Sequence, residues 1–129
     1  MVDAAGTSAY TYTDGNELRT EDGPWSSDTL SNTYTYRRRV GLSLQQPTGA
    51  WTNGFGYDDA ERLHTLASPA RTFTYTYSTP GLLWTNLALP TSYAAAITNR
   101  YDSVGRLLRT AMAWSGGVVD SRDYVYNEG

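Results

Sequence analysis

The sequence predicts an all-β fold in which tandem hairpins form a curved antiparallel sheet or ribbon, and three observations carry that expectation. Tyr occurs 11 times and Gly 12 times in 129 residues, Thr is abundant, and Glu is scarce. Such a composition favours strands and turns over helices. Aromatic pairs two residues apart recur along the whole chain, as Tyr10/Tyr12, Tyr34/Tyr36, Phe55/Tyr57, Tyr75/Tyr77 and Tyr124/Tyr126, with Asn99/Tyr101 in the same slots. Turn-forming residues punctuate the intervals between them.

Taken in order, the second residue of each pair sets an anchor at Tyr12, Tyr36, Tyr57, Tyr77, Tyr101 and Tyr126, with steps of 24, 21, 20, 24 and 25 residues. A leucine follows six residues after each of the first five, at Leu18, Leu42, Leu63, Leu83 and Leu107. Side chains alternate along a strand, so Tyr-x-Tyr puts both rings on one face. In the copy Tyr101-Asp102-Ser103-Val104-Gly105-Arg106-Leu107, Asp and Gly occupy the first and fourth positions of a type I turn, where each is favoured. A left-handed Gly after such a turn makes a three-residue hairpin with a bulge. That register sets Tyr101 opposite Leu107 on one face and Asp102 opposite Arg106 on the other.

The copy Tyr57-Asp58-Asp59-Ala60-Glu61-Arg62-Leu63 keeps both pairs but places Glu61 where positive φ is required. Asn16 suits that slot in the first copy, because Asn enters the left-handed region readily. Gly81 also fits, although Pro80 before it is disfavoured there. Val40 does not fit, and Gly41 beside it suggests a shifted turn. Between the motifs, Gly23-Pro24, Gln46-Pro47-Thr48-Gly49, Ser68-Pro69 and Gly116-Gly117 supply the return turns, and Trp25, Trp51, Trp84 and Trp114 lie in the same segments. Residues Ser92 to Thr98, with Ala94, Ala95 and Ala96, read as at most one helical turn. A small β-sandwich, barrel or propeller-like array has the same strand spacing.

The string Tyr101 to Leu107 fits Y-D-x-x-G-R-L, and Tyr57 to Leu63 fits it in all but the Gly. The sequence thereby resembles the tyrosine-aspartate (YD) repeats of the rearrangement-hotspot (Rhs) family, which includes bacterial polymorphic toxins and the animal teneurins. The degenerate copies extend the resemblance from about Tyr10 to the end of the sequence. The resemblance implies a single array over residues 1–129, part of a larger repeat region, whose β-ribbon forms the wall of a shell that can enclose a toxin. It implies a scaffold without catalytic residues, other YD repeats as partners, a toxin domain or surface glycan as further candidates, and a secreted or cell-surface location. The structural motif residues are Tyr57, Asp58, Arg62, Leu63, Tyr101, Asp102, Gly105, Arg106 and Leu107.

Composition narrows the chemistry. The chain has no Cys and one His, which excludes disulfides, thiolate catalysis and Cys-containing or His-rich metal centres. No cofactor or metal is expected. A net charge of −3 speaks against a phosphate-binding surface, so no nucleic-acid partner is expected. The longest apolar stretches, such as Tyr93 to Ile97, are far short of the ~20 residues of a membrane span. The Met-Val-Asp-Ala-Ala-Gly start lacks the basic flank and apolar stretch of a signal peptide.

Individual residues have structural readings first. His64 follows Leu63 and points away from the Tyr/Leu face as an ordinary surface histidine. Asp14, Asp22, Asp58, Asp59 and Asp102 stand at turns, where Asp is at home. Asp58 and Asp59 lack the ligand pattern of a calcium loop, and Gly54-x-Gly56 lacks that of a phosphate loop. Arg37-Arg38-Arg39 alternates its charges between two sides and reads as solvated surface. Trp25, Trp51 and Trp114, outside the hairpin motif, are candidate exposed rings for a glycan or protein partner. The alternatives to a scaffold are therefore an interaction module using those rings and a small hydrolase using a carboxylate pair.

Overall fold

The computed structural model describes residues 1–129 apart from 5, 79–80, 91–93 and 128–129. The described residues form thirteen strands and no helix. The chain divides into two compact units, Met1–Gly56 with Leu66–Ala70, and Tyr57–Thr65 with Arg71–Gly129. The first contains β1 (Val2–Asp3), β2 (Gly6–Thr7), β3 (Ala9–Tyr12), β4 (Leu18–Asp22), β5 (Leu30–Thr35), β6 (Arg38–Gln46) and nearly all of β7 (Gly49–Tyr57). Strand β8 (Leu63–Ala67) is divided between the units, and the second contains β9 (Thr72–Tyr77), β10 (Trp84–Ala88), β11 (Ala96–Tyr101), β12 (Leu107–Trp114) and β13 (Gly117–Asp123).

Strands β3 to β13 form one antiparallel sheet in chain order, and β1 and β2 form a separate hairpin. The sheet is open, with β3 and β13 as its outer strands. A closed barrel, the two sheets of a sandwich and the separate blades of a propeller are thus not the architecture. Ala96–Thr98 belongs to β11 and neither Ala94 nor Ala95 is helical, so among the described residues of Ser92 to Thr98 there is no helical turn; Ser92 and Tyr93 lie outside the described residues.

Three tight turns share the expected geometry. The Asp102 N–H donates to the Arg106 carbonyl at 3.0 Å, the Gly105 N–H donates to the Asp102 carbonyl at 3.1 Å, and Gly105 sits at φ +84°. Glu61 takes the equivalent conformation at φ +64° and Asn16 at φ +63°, with the same paired bonds around each turn. A non-glycine residue in the left-handed region costs roughly 1–2 kcal/mol. The Asp58 side chain, capping the Glu61 turn, offsets part of that cost.

Two turns depart from the repeat as read in sequence. Tyr36 is not a strand anchor: it lies at φ +49° beside Arg37 at φ +63°, in a two-residue hairpin turn where Tyr34 opposes Arg39. Positive φ at both central residues is the type I′ geometry. The anchor is therefore Tyr34, with Asn32 two residues before it, and Leu42 lies opposite Asn32. The turn after Tyr77 is one residue longer than the motif, closed by the Ser78 N–H on the Leu83 carbonyl at 2.9 Å. Trp84, in place of Leu83, opposes Tyr77. Pro80 lies outside the described residues.

The register shows a regularity absent from the sequence reading. Tyr12 opposes Leu18, Tyr34 opposes Arg39, Tyr77 opposes Trp84 and Tyr101 opposes Leu107, and each of these ladders shifts register immediately afterwards. Arg19, Val40, Thr85 and Leu108 are the extra residues. A bulge at the same place in these four hairpins bends the strand and sharpens its twist.

The two faces differ in chemistry. In the first unit one row across the strands runs Tyr10, Glu21, Leu30, Leu44, Trp51, and the opposite face carries the row Thr11, Thr20, Ser31, Ser43, Thr52. In the second unit Tyr75, Leu87, Ile97 and Met112 form one row, and Thr76, Asn86, Thr98, Ala111 and Ser121 the other. Neither face encloses a conventional core. Among the described residues only Ala95, Ala111, Asn32 and Asn99 are buried, and no large side chain is fully enclosed. Polar bonds along the repeat are left to supply much of the cohesion.

Candidate functional site

The motif residues assemble into a latch that joins one hairpin to the next at several places along the chain. In the β11–β12 turn, Asp102 Oδ1 accepts from the Val104 and Arg106 N–H groups at 3.0 and 2.8 Å, and Oδ2 accepts from Arg106 Nε at 2.6 Å. Asp58 does the same in its own turn, through Ala60 and Arg62 at 3.0 and 2.9 Å and Arg62 Nε at 2.8 Å. One carboxylate thus satisfies turn amides with one oxygen and fixes the guanidinium plane with the other. The plane so fixed covers the tyrosine of the following copy: Arg62 lies 4.5 Å from the Tyr77 ring centre, and Arg106 lies 4.9 Å from that of Tyr126. Cation and ring face attract in this arrangement.

These two tyrosines, and two others at equivalent positions, close the latch through their hydroxyls. Tyr77 donates to the Leu63 carbonyl at 2.7 Å, Tyr126 to the Leu107 carbonyl at 2.9 Å, Tyr101 to the Trp84 carbonyl at 3.1 Å, and Tyr34 to the Leu18 carbonyl at 3.0 Å. In all four cases the acceptor is the residue that ends the preceding tight turn. Ladder pairing between hairpins is brief there: β4 and β5 share the pairs Thr20/Ser31 and Glu21/Leu30, and β10 and β11 the pairs from Asn86/Thr98 to Ala88/Ala96. Beyond those pairs the ladder ends, and a phenol bridges the fork.

Asparagine two residues before the anchor completes two forks. Asn99 Nδ2 donates to the Tyr101 hydroxyl at 3.1 Å, while its Oδ1 accepts from Thr110 Oγ1 at 2.8 Å. Asn32 Nδ2 donates to the Leu18 carbonyl at 3.1 Å, but its buried Oδ1 has no donor because Leu42 stands where Thr110 stands in the other fork. Asn99→Ala should therefore cost about 2 kcal/mol through two lost bonds, and Asn32→Ala clearly less, because an unsatisfied acceptor leaves with it. Urea denaturation of both variants checks the order; equal losses would contradict it.

The first hairpin carries a variant of the latch in which the anion stands at the other position. Thr13 occupies the Asp position and Glu17 the Arg position, and Thr13 Oγ1 donates to the Glu17 carboxylate. Arg37, from the strained turn of the next hairpin, lies 3.5 Å from Glu17 and donates to the Gly15 carbonyl at 3.3 Å. The cation missing from the first turn is supplied by its neighbour. Arg39 in turn stacks at 5.0 Å over Phe55. Arg37 and Arg39 of the basic triplet thus touch their own sheet while staying exposed to solvent.

Electrostatics follow from these contacts. The Arg62 hydrogen bond holds the Asp58 carboxyl below the usual range, and Arg106 does the same for Asp102. The Thr13 hydroxyl lowers Glu17, and burial raises the Tyr77 phenol. A lowered carboxyl contributes stability above its ordinary value near 4, and that contribution is lost as pH falls below it. The raised phenol acts in the opposite sense, so stability declines as pH climbs past about 10. Acid titration of the folded fraction should show destabilisation beginning below about pH 4, and Asp58→Asn with Asp102→Asn should flatten it. An unaltered acid limb would contradict the assignment.

The other residues singled out in sequence are dispersed. His64 is exposed, its Nδ1 3.0 Å from the Tyr75 carbonyl. Trp25 is 68% exposed and Trp51 and Trp114 are each 46% exposed, whereas Trp84 is half-buried against Tyr77. Trp25 borders a shallow cleft of about 350 Å³ with Glu21, Pro24, Asp28, Leu30 and Leu44. Among the described residues no three metal-ligating side chains come together, and no helix is long and apolar enough to cross a membrane. Comparison with protein-family models and with curated proteins finds no match for the sequence.

Proposed function

We propose that this chain is a non-enzymatic structural segment of an Rhs/YD-repeat protein, contributing wall to a β-shell that encloses a toxin or other cargo. One observation carries the reading: the polar motif residues are engaged with the turn that holds them or with the neighbouring hairpin. Asp58 and Asp102 are each committed to an arginine and to turn amides, which leaves neither as a free general base. The natural partners of such a unit are further hairpins of its own kind. An array of this kind gains stability repeat by repeat, because each unit buries surface only against its neighbours. Appending one and then two further copies of the Ala96–Trp114 hairpin, each with its connecting turn, should raise the denaturation midpoint stepwise. A midpoint indifferent to added copies would sink the proposal.

A second reading, a glycan-binding module, is favoured by one feature. The exposed Trp25 ring beside Glu21 and Asp28 offers a stacking face next to hydrogen-bond acceptors. Saturable quenching of Trp fluorescence by neutral oligosaccharides, abolished by Trp25→Ala, would establish it; unchanged fluorescence leaves the scaffold reading alone.

A further inference from the structure

Three consecutive tight turns of the second unit open at Asp58, Ser78 and Asp102, and the two gaps between them are filled differently. The first gap is closed from within: Arg62 lies 4.5 Å from the Tyr77 ring centre and donates to the Gly81 carbonyl at 2.5 Å. The second gap is built from the same parts one copy later. Gly105 takes the place of Gly81, since each donates its N–H to the carbonyl of the residue that opens its turn, Asp102 or Ser78. Tyr101 takes the place of Tyr77, with its hydroxyl on the Trp84 carbonyl as that of Tyr77 is on the Leu63 carbonyl. The arginine has no counterpart. Leu83 closes the Ser78 turn with its carbonyl, as Arg62 closes the Asp58 turn, and brings no charge to the gap. What remains is a cavity of about 610 Å³ lined by Ser78, Gly81, Leu83, Tyr101, Asp102 and Gly105, a size typical of ligand sites.

We infer that this cavity binds a guanidinium group, carried by an arginine side chain of a partner polypeptide. The neighbouring gap identifies the occupant, because there an arginine of the chain itself meets the equivalent ring and the equivalent turn carbonyl. A planar cation stacks on a tyrosine ring while donating to a carbonyl beside it, a combination that an ammonium does not reproduce. Asp102 supplies the charge complement. Its Oδ1 accepts from two backbone N–H groups and its Oδ2 from Arg106 Nε, so one of the about four acceptor positions of a carboxylate is left on Oδ2. Arg100 also lines the cavity, but alternation along β11 turns its side chain to the face opposite Tyr101. Leu83 adds an apolar wall for the methylene stem of the incoming arginine. The inference goes beyond the scaffold reading, and its failure leaves the array-extension experiment untouched.

The probe is N-acetyl-arginine amide, whose only charge is the guanidinium, titrated into the isotope-labelled full chain at constant ionic strength. Amide spectra should show saturable shifts at Ser103 and Gly105 with a Kd of about 1 to 10 mM, and N-acetyl-lysine amide should bind at least about fivefold more weakly. A capped Gly-Arg-Gly peptide should bind at least as tightly as the arginine amide. Methylguanidine should bind more weakly, because it lacks the stem that lies along Leu83. Leu83 is 38% exposed, so Leu83→Arg is expected to fold. That variant should lose the shifts by placing the chain's own guanidinium in the cavity, and its urea midpoint should rise by about 0.3 M. No saturation up to about 50 mM, lysine binding equal to arginine, methylguanidine binding more tightly than the peptide, or a Leu83→Arg variant that binds like the parent would each overturn the inference.

Discussion

Replacing Tyr77 by alanine is expected to destabilise the chain by about 3 kcal/mol, the low end of the range for losing a large aromatic side chain, because this ring is half-buried. Three contacts go at once. The hydroxyl leaves the Leu63 carbonyl, the ring leaves the guanidinium of Arg62, and Trp84 loses its partner across the ladder. Tyr77→Phe isolates the first of these and should cost about 1 kcal/mol, the usual net value of one hydrogen bond. Urea denaturation measures both. A Tyr77→Ala loss below about 0.5 kcal/mol would mean that the phenol is surface decoration rather than a joint between hairpins.

Arg62→Ala is expected to rank second, at about 2 kcal/mol, through loss of a charge-assisted pair, a hydrogen bond and a ring contact together. Its side chain is 22% exposed, pairs with Asp58 at 2.7 Å and donates to the Gly81 carbonyl at 2.5 Å. Lysine should recover less than half of the loss, because a point charge cannot hold the carboxylate, the carbonyl and the ring face together. Arg106→Ala provides the contrast. That side chain is 52% exposed, and its loss should stay below about 1 kcal/mol, as for other solvated pairs. A double-mutant cycle between Arg62 and Tyr77 should return a coupling of at least about 0.5 kcal/mol. Strict additivity would show that the stacking contributes nothing.

How much of this was legible in the sequence depends on the range of each interaction. The turns at Asp102 and Asp58 were readable because Asp, Gly and Arg act within seven residues, and local backbone chemistry decides their geometry. Glu61 shows that a turn can impose its conformation on an ill-suited residue when a side chain such as Asp58 caps it. Tyr36 misled because two Tyr-x-Tyr slots look alike in sequence, and only the partner strand distinguishes Tyr34, which has Arg39 opposite, from Tyr36, which has none. The same holds for Leu83 and Trp84: one added turn residue moved the slot, and spacing alone does not reveal which apolar residue fills it. The bulges at Arg19, Val40, Thr85 and Leu108 carry no common residue type, so nothing in composition marked them.

The latch itself lay beyond sequence reading for a related reason. Its bonds join residues 14 to 19 positions apart through a phenol and a backbone carbonyl, and a carbonyl has no sequence signature. The repeat did hold the clue that aromatic anchors recur with arginine in the preceding turn. Within one hairpin the spacing only sets Asp opposite Arg, whereas in the structure Arg62 and Arg106 also reach the ring of the next. The row of Tyr and Leu is likewise not enclosed, which shifts cohesion from apolar area toward the polar joints.

The most direct test of that joint is a nuclear Overhauser spectrum of the folded chain. The ring protons of Tyr77 should show contacts to the side chain of Arg62 and the backbone of Leu63, those of Tyr126 to Arg106 and Leu107, and those of Tyr101 to the backbone of Trp84. A spectrum in which these rings contact only residues of their own hairpins would contradict the account.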